Sequence, residues 1–330
     1  SGYFGCRNQD GTFSEEKFTE QVVDPQIKMV EIKLSQGAKP GHGGVLPGPK
    51  VTAEIALTRG VPAGEDCVSP ASHTAFSSPI ELMQFIARLR KLSGGKPIGF
   101  KLCIGQPWEF FGIAKAMLET GIYPDFIVVD GSEGGTGAAP VEFTDHVGMP
   151  LREGLRLVHN TLVGIGKRKE IAVGASGKII SAYDIIRAIA LGADWCNSAR
   201  GFMFALGCIQ SRSCHTDKCP TGVATQDQLR QRALVVPDKA ERVHAFHNNT
   251  MQSLAELIGA AGLAHPKEIT SDYLMCRDAS GKAIPLSSKL PTVNPGDLLQ
   301  RVDSMSGLPQ EYELYWNRAL TNKFGLAPLI

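Results

Sequence analysis

Short apolar runs alternate along the chain with longer amphipathic stretches. MVEIKLSQ from Met29, CVSP from Cys67, IGFKLCIG from Ile98, FIVVDGSEGG from Phe126, IAVGASG from Ile171 and DWCNSARG from Asp194 each read as a strand. Between them, SSPIELMQFIARLRKLSGG places apolar residues at Ile80, Met83, Phe85, Ile86 and Leu89, behind a Ser and Pro start and ahead of a Gly stop. That spacing predicts an amphipathic helix. WEFFGIAKAMLETG and SAYDIIRAIALGAD repeat it. Strands apolar on both faces that alternate with helices build a parallel sheet, and six such units are visible.

The strands run into polar residues or glycines at their C-terminal ends: Lys101, then Asp130 and Gly131, Gly174 to Gly177, and Ser198 to Arg200. Chemistry at strand C-termini is shared by (β/α)8 barrels and doubly wound sheets. The expectation is an α/β chain with a (β/α)8 TIM barrel. Six units are two short of eight, and SGYFGCRNQDGTFSEEKF has turn character with no strand and helix pair before it, so the barrel is expected to lack its first one or two βα units. The barrel is expected over residues 1–235. The charged helix PDKAERVHAFHNNTMQSLAELIGAAGL and a Pro-containing tail from Pro266, with little chemical signal, then form a C-terminal appendage, 236–330, packed on it.

Composition narrows the function classes. The 330 residues are 43% hydrophobic and 20% charged, enough for one large core or two modest ones in a soluble globular protein. With 34 basic and 33 acidic residues the formal charge is +1, which gives no electrostatic case for nucleic acid or an anionic membrane. Small molecules or other proteins are the expected partners. No run approaches the ~20 apolar residues of a membrane span, and SGYFGCRNQD has neither a basic nor an apolar targeting region. Cys6, Cys67, Cys103, Cys196 and Cys276 are scattered singly, as reduced buried thiols are, which leads to a cytoplasmic expectation.

Five motifs carry candidate chemistry. QGAKPGHGGVLPGPK is a loop, either a plain connection or a lid that brings Gln36 and Lys39 to a ligand. GSEGGTGAAP is either a turn or a stretch in which Gly134 and Gly135, beside Thr136, let backbone lie against a flat ring or an anion. GASGK and NSARG resemble a phosphate cradle completed by Arg200, without the spacing of a triphosphate-hydrolysing loop. Lys101 either snorkels outward or stabilises negative charge on a cofactor. Cys208, Cys214 and Cys219 form C-x5-C-x4-C, which fits neither a zinc knuckle nor the bacterial ferredoxin run. A zinc site completed by His215, a three-iron cluster and three inert thiols all remain open.

Taken together, EIKLSQGAKPGHGGVLPG, FKL, DGSEGGTGAAP and GCIQSRSCHTDKCPTGVATQ, in that order between residues 29 and 226, resemble the FMN-binding domain of glutamate synthase. Stand-alone FMN-binding glutamate synthase-like proteins are the nearer pattern. The last motif is the most specific, because cysteine spacing is joined to a CP-x-GVATQ tail within the segment 207–226.

The resemblance implies a barrel that binds FMN, with a [3Fe–4S] cluster on Cys208, Cys214 and Cys219. It implies catalytic roles for Lys101, Glu31, Gln36 and Lys39. Cofactor contacts are implied at Ser72, His73, Lys101, Gly134, Gly135, Thr136, Gly174, Ala175, Ser176, Gly177, Ser198, Ala199, Arg200 and Gly201. The implied reaction reduces an imine of 2-oxoglutarate and an amine donor to L-glutamate, with electrons from ferredoxin or an NAD(P)H-linked subunit. The alternatives are an N-methylglutamate synthase-like subunit, a non-catalytic flavin and iron–sulfur electron-transfer subunit, and a fragment that binds no FMN. Three departures stand out: Ser1 replaces the family's N-terminal glutaminase cysteine, His42 stands where an acidic residue is usual, and GASGK replaces a DGG run.

Overall fold

Local chemistry sets each element boundary in the computed structural model, which describes residues 5–135, 139–300 and 307–328. Helix α1 (Glu15–Val22), capped by the Ser14 hydroxyl, precedes strand β1 (Val30–Lys33). A small unit follows, made of β2 (Val45–Leu46), a 3-10 turn (Gly48–Lys50), α2 (Ala53–Arg59) and β3 (Cys67–Val68). Strands and helices then alternate as α3 (Pro79–Leu92), β4 (Ile98–Leu102), α4 (Pro107–Thr120), β5 (Phe126–Asp130), α5 (Leu151–Gly164), β6 (Ala172–Ser176), α6 (Ala182–Ala190), β7 (Trp195–Asn197) and α7 (Arg200–Leu206). Ser78 caps α3 ahead of Pro79, Ser181 and Asp184 form a capping box on α6, and Gly121 ends α4 at φ 67°.

The sheet runs β1-β4-β5-β6-β7, and every neighbouring pair is parallel. Each new strand adds on the same side. A doubly wound sheet reverses its strand order at a switch point, whereas a barrel wall does not. Five strands make an arc whose edges, among the described residues, are β1 and β7, so the fold is a partial (β/α)8 barrel. One expected strand is not in the wall: Cys67–Val68 pairs antiparallel with Val45–Leu46. It has two paired residues before Ser69 and Pro70, too short for a parallel crossover unit.

Register divides the wall into two faces. Ile32, Ile98, Phe100, Ile127, Val129, Val173 and Ala175 are buried in the core that the helices cover. The alternate positions turn away from the helices and include Glu31, Lys33, Lys101, Asp130 and Ser176. Two glycines on this inner face are dictated by aromatic neighbours. A Cβ on Gly99 would lie 2.5 Å from the Phe126 ring, and one on Gly174 would lie 2.5 Å from the Trp195 indole.

The C-terminal part adds α8 (Gln228–Gln231), the long α9 (Val236–Ala260), the hairpin β8 (Met275–Arg277) and β9 (Ala283–Pro285), and α10 (Gln310–Tyr315). Helix α9 packs on α6 and α7, with Ile258 buried against Ile186 and Ala190. The last segment returns to α4 and α5. The Tyr312 ring is fully buried 4.9 Å from Phe111, and its hydroxyl donates to the Leu157 carbonyl at 3.0 Å. Trp316 closes on the same Phe111 at 5.5 Å. The tail is therefore part of the main core. Among the described residues no helix is long and apolar enough to cross a membrane.

Replacing Tyr312 by Ala should destabilise the protein by about 3–5 kcal/mol, whereas Tyr312→Phe should cost about 1 kcal/mol, as read from urea unfolding. Unfolding midpoints that do not move in either variant would contradict an integral tail.

Candidate functional site

The inner face carries its charges where β1, β4 and β5 end. Lys101 Nζ lies 3.1 Å from Asp130 Oδ2, and the Asp130 side chain is only 8% exposed. The same oxygen accepts the Gly37 backbone N–H at 2.9 Å. Glu31 and Lys33 sit on one side of β1 two residues apart, and Lys33 is in register with Lys101. Their surroundings perturb both. Burial pushes the Glu31 carboxyl above the usual range, opposed by Lys101 and reinforced by Asp130. Burial, then repulsion from Lys101 and Lys39, lowers the Lys33 ammonium. Five charged groups thus influence one another across three strand ends.

The loop after β1 folds over this cluster. Ser35 Oγ accepts the Cys103 N–H at 2.8 Å, and the Lys39 N–H bonds the Gln36 carbonyl at 3.3 Å, which places Gln36 and Lys39 in one turn. A Cβ on Gly37 would lie 1.9 Å from the Gly131 carbonyl oxygen. Gly135, at φ 128°, leaves no room for one either, since it would meet the Ala38 methyl at 2.1 Å. The lid loop and the glycine-rich loop after β5 therefore interlock by backbone contact that any side chain would block. Glu133 of that loop caps α5 by accepting the Leu151 N–H at 2.9 Å.

The other expected cofactor positions divide by environment. Ser72 and His73 line a 680 Å³ cavity at the edge of β1, together with Glu31 and Lys33. His73 stacks on Phe76 at 4.4 Å, and burial lowers it to about 4, so it is neutral near pH 7. Gly174 lies mid-strand beneath Trp195, and the Ala175 side chain is buried on the helix-facing side. At the strand end, the Ser176 carbonyl accepts the Gly131 N–H at 2.8 Å, and Gly177 has φ 141°. Ser198 Oγ donates to the Ile179 carbonyl at 2.8 Å, and Ala199 precedes α7. Arg200 donates to the Gly135 carbonyl at 2.7 Å. A Cβ on Gly201 would lie 2.5 Å from Phe246, which gives this glycine a packing role against α9. Thr136 lies outside the described residues. The structure brings Gly134, Gly135, Gly177 and Arg200 to one end of the wall; Gly174, Ala175 and Gly201 meet packing partners.

Cys208, Cys214 and Cys219 line one cavity of 240 Å³, which Gly135, Lys178 and Arg200 also border. Burial alone would raise the Cys219 thiol; the Thr221 hydroxyl at 3.6 Å and backbone N–H groups of Ala224, Thr221 and Val223 outweigh it and lower the thiol. The tail of the motif shapes this pocket of donors. Thr225 Oγ1 donates to the Asp217 carbonyl at 2.5 Å, and Asp217 Oδ1 accepts the Gln226 N–H at 2.7 Å. Gly222, at φ 78°, passes against the Arg230 carbonyl, where a Cβ would sit at 2.4 Å. By contrast, burial pushes Cys103 and Cys196 up to about 12, which leaves both inert. Among the described residues no three His, Cys, Asp or Glu side chains are grouped to hold a metal ion, and this holds for Cys208, Cys214 and Cys219 with or without His215.

The family described as a conserved region in glutamate synthase matches residues 1–264. The chain belongs to the glutamate synthase family. It is 42% identical over 283 residues to the glutamate synthase large subunit-like protein YerD of Bacillus subtilis strain 168, covering 86% of this chain and 54% of that protein. It is 40% identical over 235 residues to an archaeal glutamate synthase (NADPH) of Methanocaldococcus jannaschii, covering 71% and 45%. A ferredoxin-dependent glutamate synthase of Arabidopsis thaliana is 36% identical over 253 residues, 73% of this chain and 15% of that protein. The chain thus spans about half the length of the first two relatives.

Two members of the strand-end charge cluster, Asp130 and Lys33, were not among the expected site residues. Asp130 is the lone polar residue that ends the apolar run FIVVD, and Lys33 alternates with Glu31 on β1; both signals are present in the chain.

Asp130→Asn removes the charge that joins Lys101 to the lid. It should cost about 1.5–3 kcal/mol in urea unfolding and speed amide exchange at Gly37. For Glu31 the folded state binds its proton more tightly than the unfolded chain. The contribution to stability is therefore greatest at low pH and is lost as pH rises through the raised value. Glu31→Gln should then melt above the parent at pH 7 to 8, with the gap closing towards pH 4. A gap that widens on acidification would contradict the assignment.

Proposed function

We propose that this chain is the synthase portion of a glutamate synthase-type oxidoreductase, with FMN and a [3Fe–4S] cluster as cofactors. The observation that carries the proposal is the single cavity lined by all three cysteines and by Gly135 and Arg200 of the cofactor loops. The residues suit both groups. Lys101 and Arg200 place two cations about the interlocked glycine loops, and the three free thiols share one space with backbone donors aimed at Cys219. A three-iron core takes three thiolate ligands, which is the number of cysteines that line this cavity.

When bound, FMN supplies hydride transfer, and the cluster supplies a one-electron relay to it. The protein's part is electrostatic and positional. Lys101, oriented by Asp130, stabilises negative charge that develops at the strand ends. Lys33 and Lys39 offer cations to the carboxylates of a 2-oxoglutarate-derived imine, and Glu31, with its raised affinity for a proton, is placed to hold one beside them. Gln36 contributes an amide from the same turn as Lys39. The lid excludes water that would hydrolyse the imine.

The product of this reading is L-glutamate, from 2-oxoglutarate and ammonia. The relatives' names point to NADPH or ferredoxin as the electron source. The eight free thiols suit a reducing, cytoplasmic setting. The same proposal divides the chain into a barrel unit, 1–235, and a C-terminal part, 236–330, whose Tyr312 and Trp316 pack into the barrel's core. Methylamine in place of ammonia, which would give N-methylglutamate, is the second reading; it is motivated by His42, which replaces a usual acid and packs on Phe143 at 5.2 Å.

Reduced protein incubated with 2-oxoglutarate and either ammonia or methylamine should form L-glutamate with the first. Lys101→Met should lower turnover by about 100-fold. Flavin that is reduced and reoxidised with no effect of 2-oxoglutarate would instead support an electron-transfer subunit.

A further inference from the structure

The lid and the cysteine segment meet at one side chain. Lys50 ends the 3-10 turn of the small unit formed by β2, α2 and β3, which has its own core of Val51, Ala56 and Cys67. Its Nζ donates to the carbonyl of Cys214 at 2.5 Å and to the carbonyl of Ala224 at 2.8 Å. These acceptors lie 164 and 174 residues away in sequence, and they flank Cys219 on both sides. Both bonds join the small unit to the segment 207–226. The turn that presents Lys50 is held from its other end, where Asp66 accepts the Gly48 N–H at 2.6 Å and Gly48 passes the Gly64 carbonyl so closely that a Cβ would lie 2.3 Å from it.

We propose that Lys50 is a positioning residue that straps the substrate lid to the cysteine segment, so that order in one stabilises order in the other. A single ammonium satisfies two carbonyls on opposite limbs of the cysteine loop, which fixes the spacing of those limbs. The same ammonium is a cation beside the backbone of one proposed iron ligand. This electrostatic part rests on the cluster reading of the preceding section; the strap itself does not. Coupling of this kind is reciprocal: whatever stiffens the cysteine loop also stiffens the turn that carries Lys50, and through it the lid unit.

The test compares the parent with Lys50→Met and Lys50→Arg by amide hydrogen exchange, followed by peptides, on protein as purified. Lys50→Met should speed exchange by at least about tenfold in peptides from both 43–51 and 208–226, and Lys50→Arg should return most of the protection. Exchange in 208–226 that matches the parent overturns the strap. If Lys50→Met does not fold, the same comparison is read in Lys50→Gln. Where the purified protein holds iron, electron paramagnetic titration adds a second readout. Loss of the ammonium should make the cluster harder to reduce, by about a tenfold change in the reduced-to-oxidised ratio, equivalent to about 59 mV for a one-electron couple. A potential that does not move overturns the electrostatic part. Protein without iron in which both segments still loosen together keeps the strap and removes the cluster reading. Iron-loaded protein with unchanged exchange does the reverse.

Discussion

A single nearly buried carboxylate constrains the whole strand-end region. Asp130 ends β5 and is bonded at once to the Lys101 ammonium of β4 and the Gly37 N–H of the lid. It also sits where a Cβ on Gly134 would come within 2.8 Å of its second oxygen. Burial of a charge is tolerable only when it is paired and hydrogen-bonded, and Asp130 is both. Two wall strands, the lid and the glycine-rich loop must therefore be in place together. That is why the glycines of the two loops interlock and why Lys101 points along the wall end.

The environment sorts the chemistry of similar side chains. Eight thiols are free, yet burial holds Cys103 and Cys196 up to about 12, while hydrogen bonds from Thr221 and its neighbours lower Cys219. On β1, Glu31 and Lys33 have both moved towards their neutral forms. Burial is the main cause of both shifts, whereas an exposed pair such as Lys178 and Asp145, at 3.3 Å, is screened by water.

The wall strands were legible in the chain because their patterns are local: five of the six expected runs became β1, β4, β5, β6 and β7, although β1 carries the charged Glu31 and Lys33 on its inner face. CVSP shows the limit. A two-residue strand has no periodicity to separate a wall strand from a hairpin arm. Lys101 stood out by its place in an apolar run, and the cysteines by their spacing. What could not be read is what depends on contacts remote in sequence: the indole of Trp195 that makes Gly174 a packing glycine, the Phe246 ring that does the same for Gly201, the burial of Tyr312, and the reach of Lys50 across 164 residues to the cysteine loop. None of these leaves a mark within ten residues of itself.

The central claim is that one wall end brings a flavin and a three-cysteine cluster side by side. An anaerobic visible spectrum, with FMN, iron and zinc quantified on the same sample, addresses it most directly. The account predicts flavin bands with about three iron atoms per chain. Zinc in place of iron, or colourless protein that takes up neither FMN nor iron on reconstitution, would contradict it.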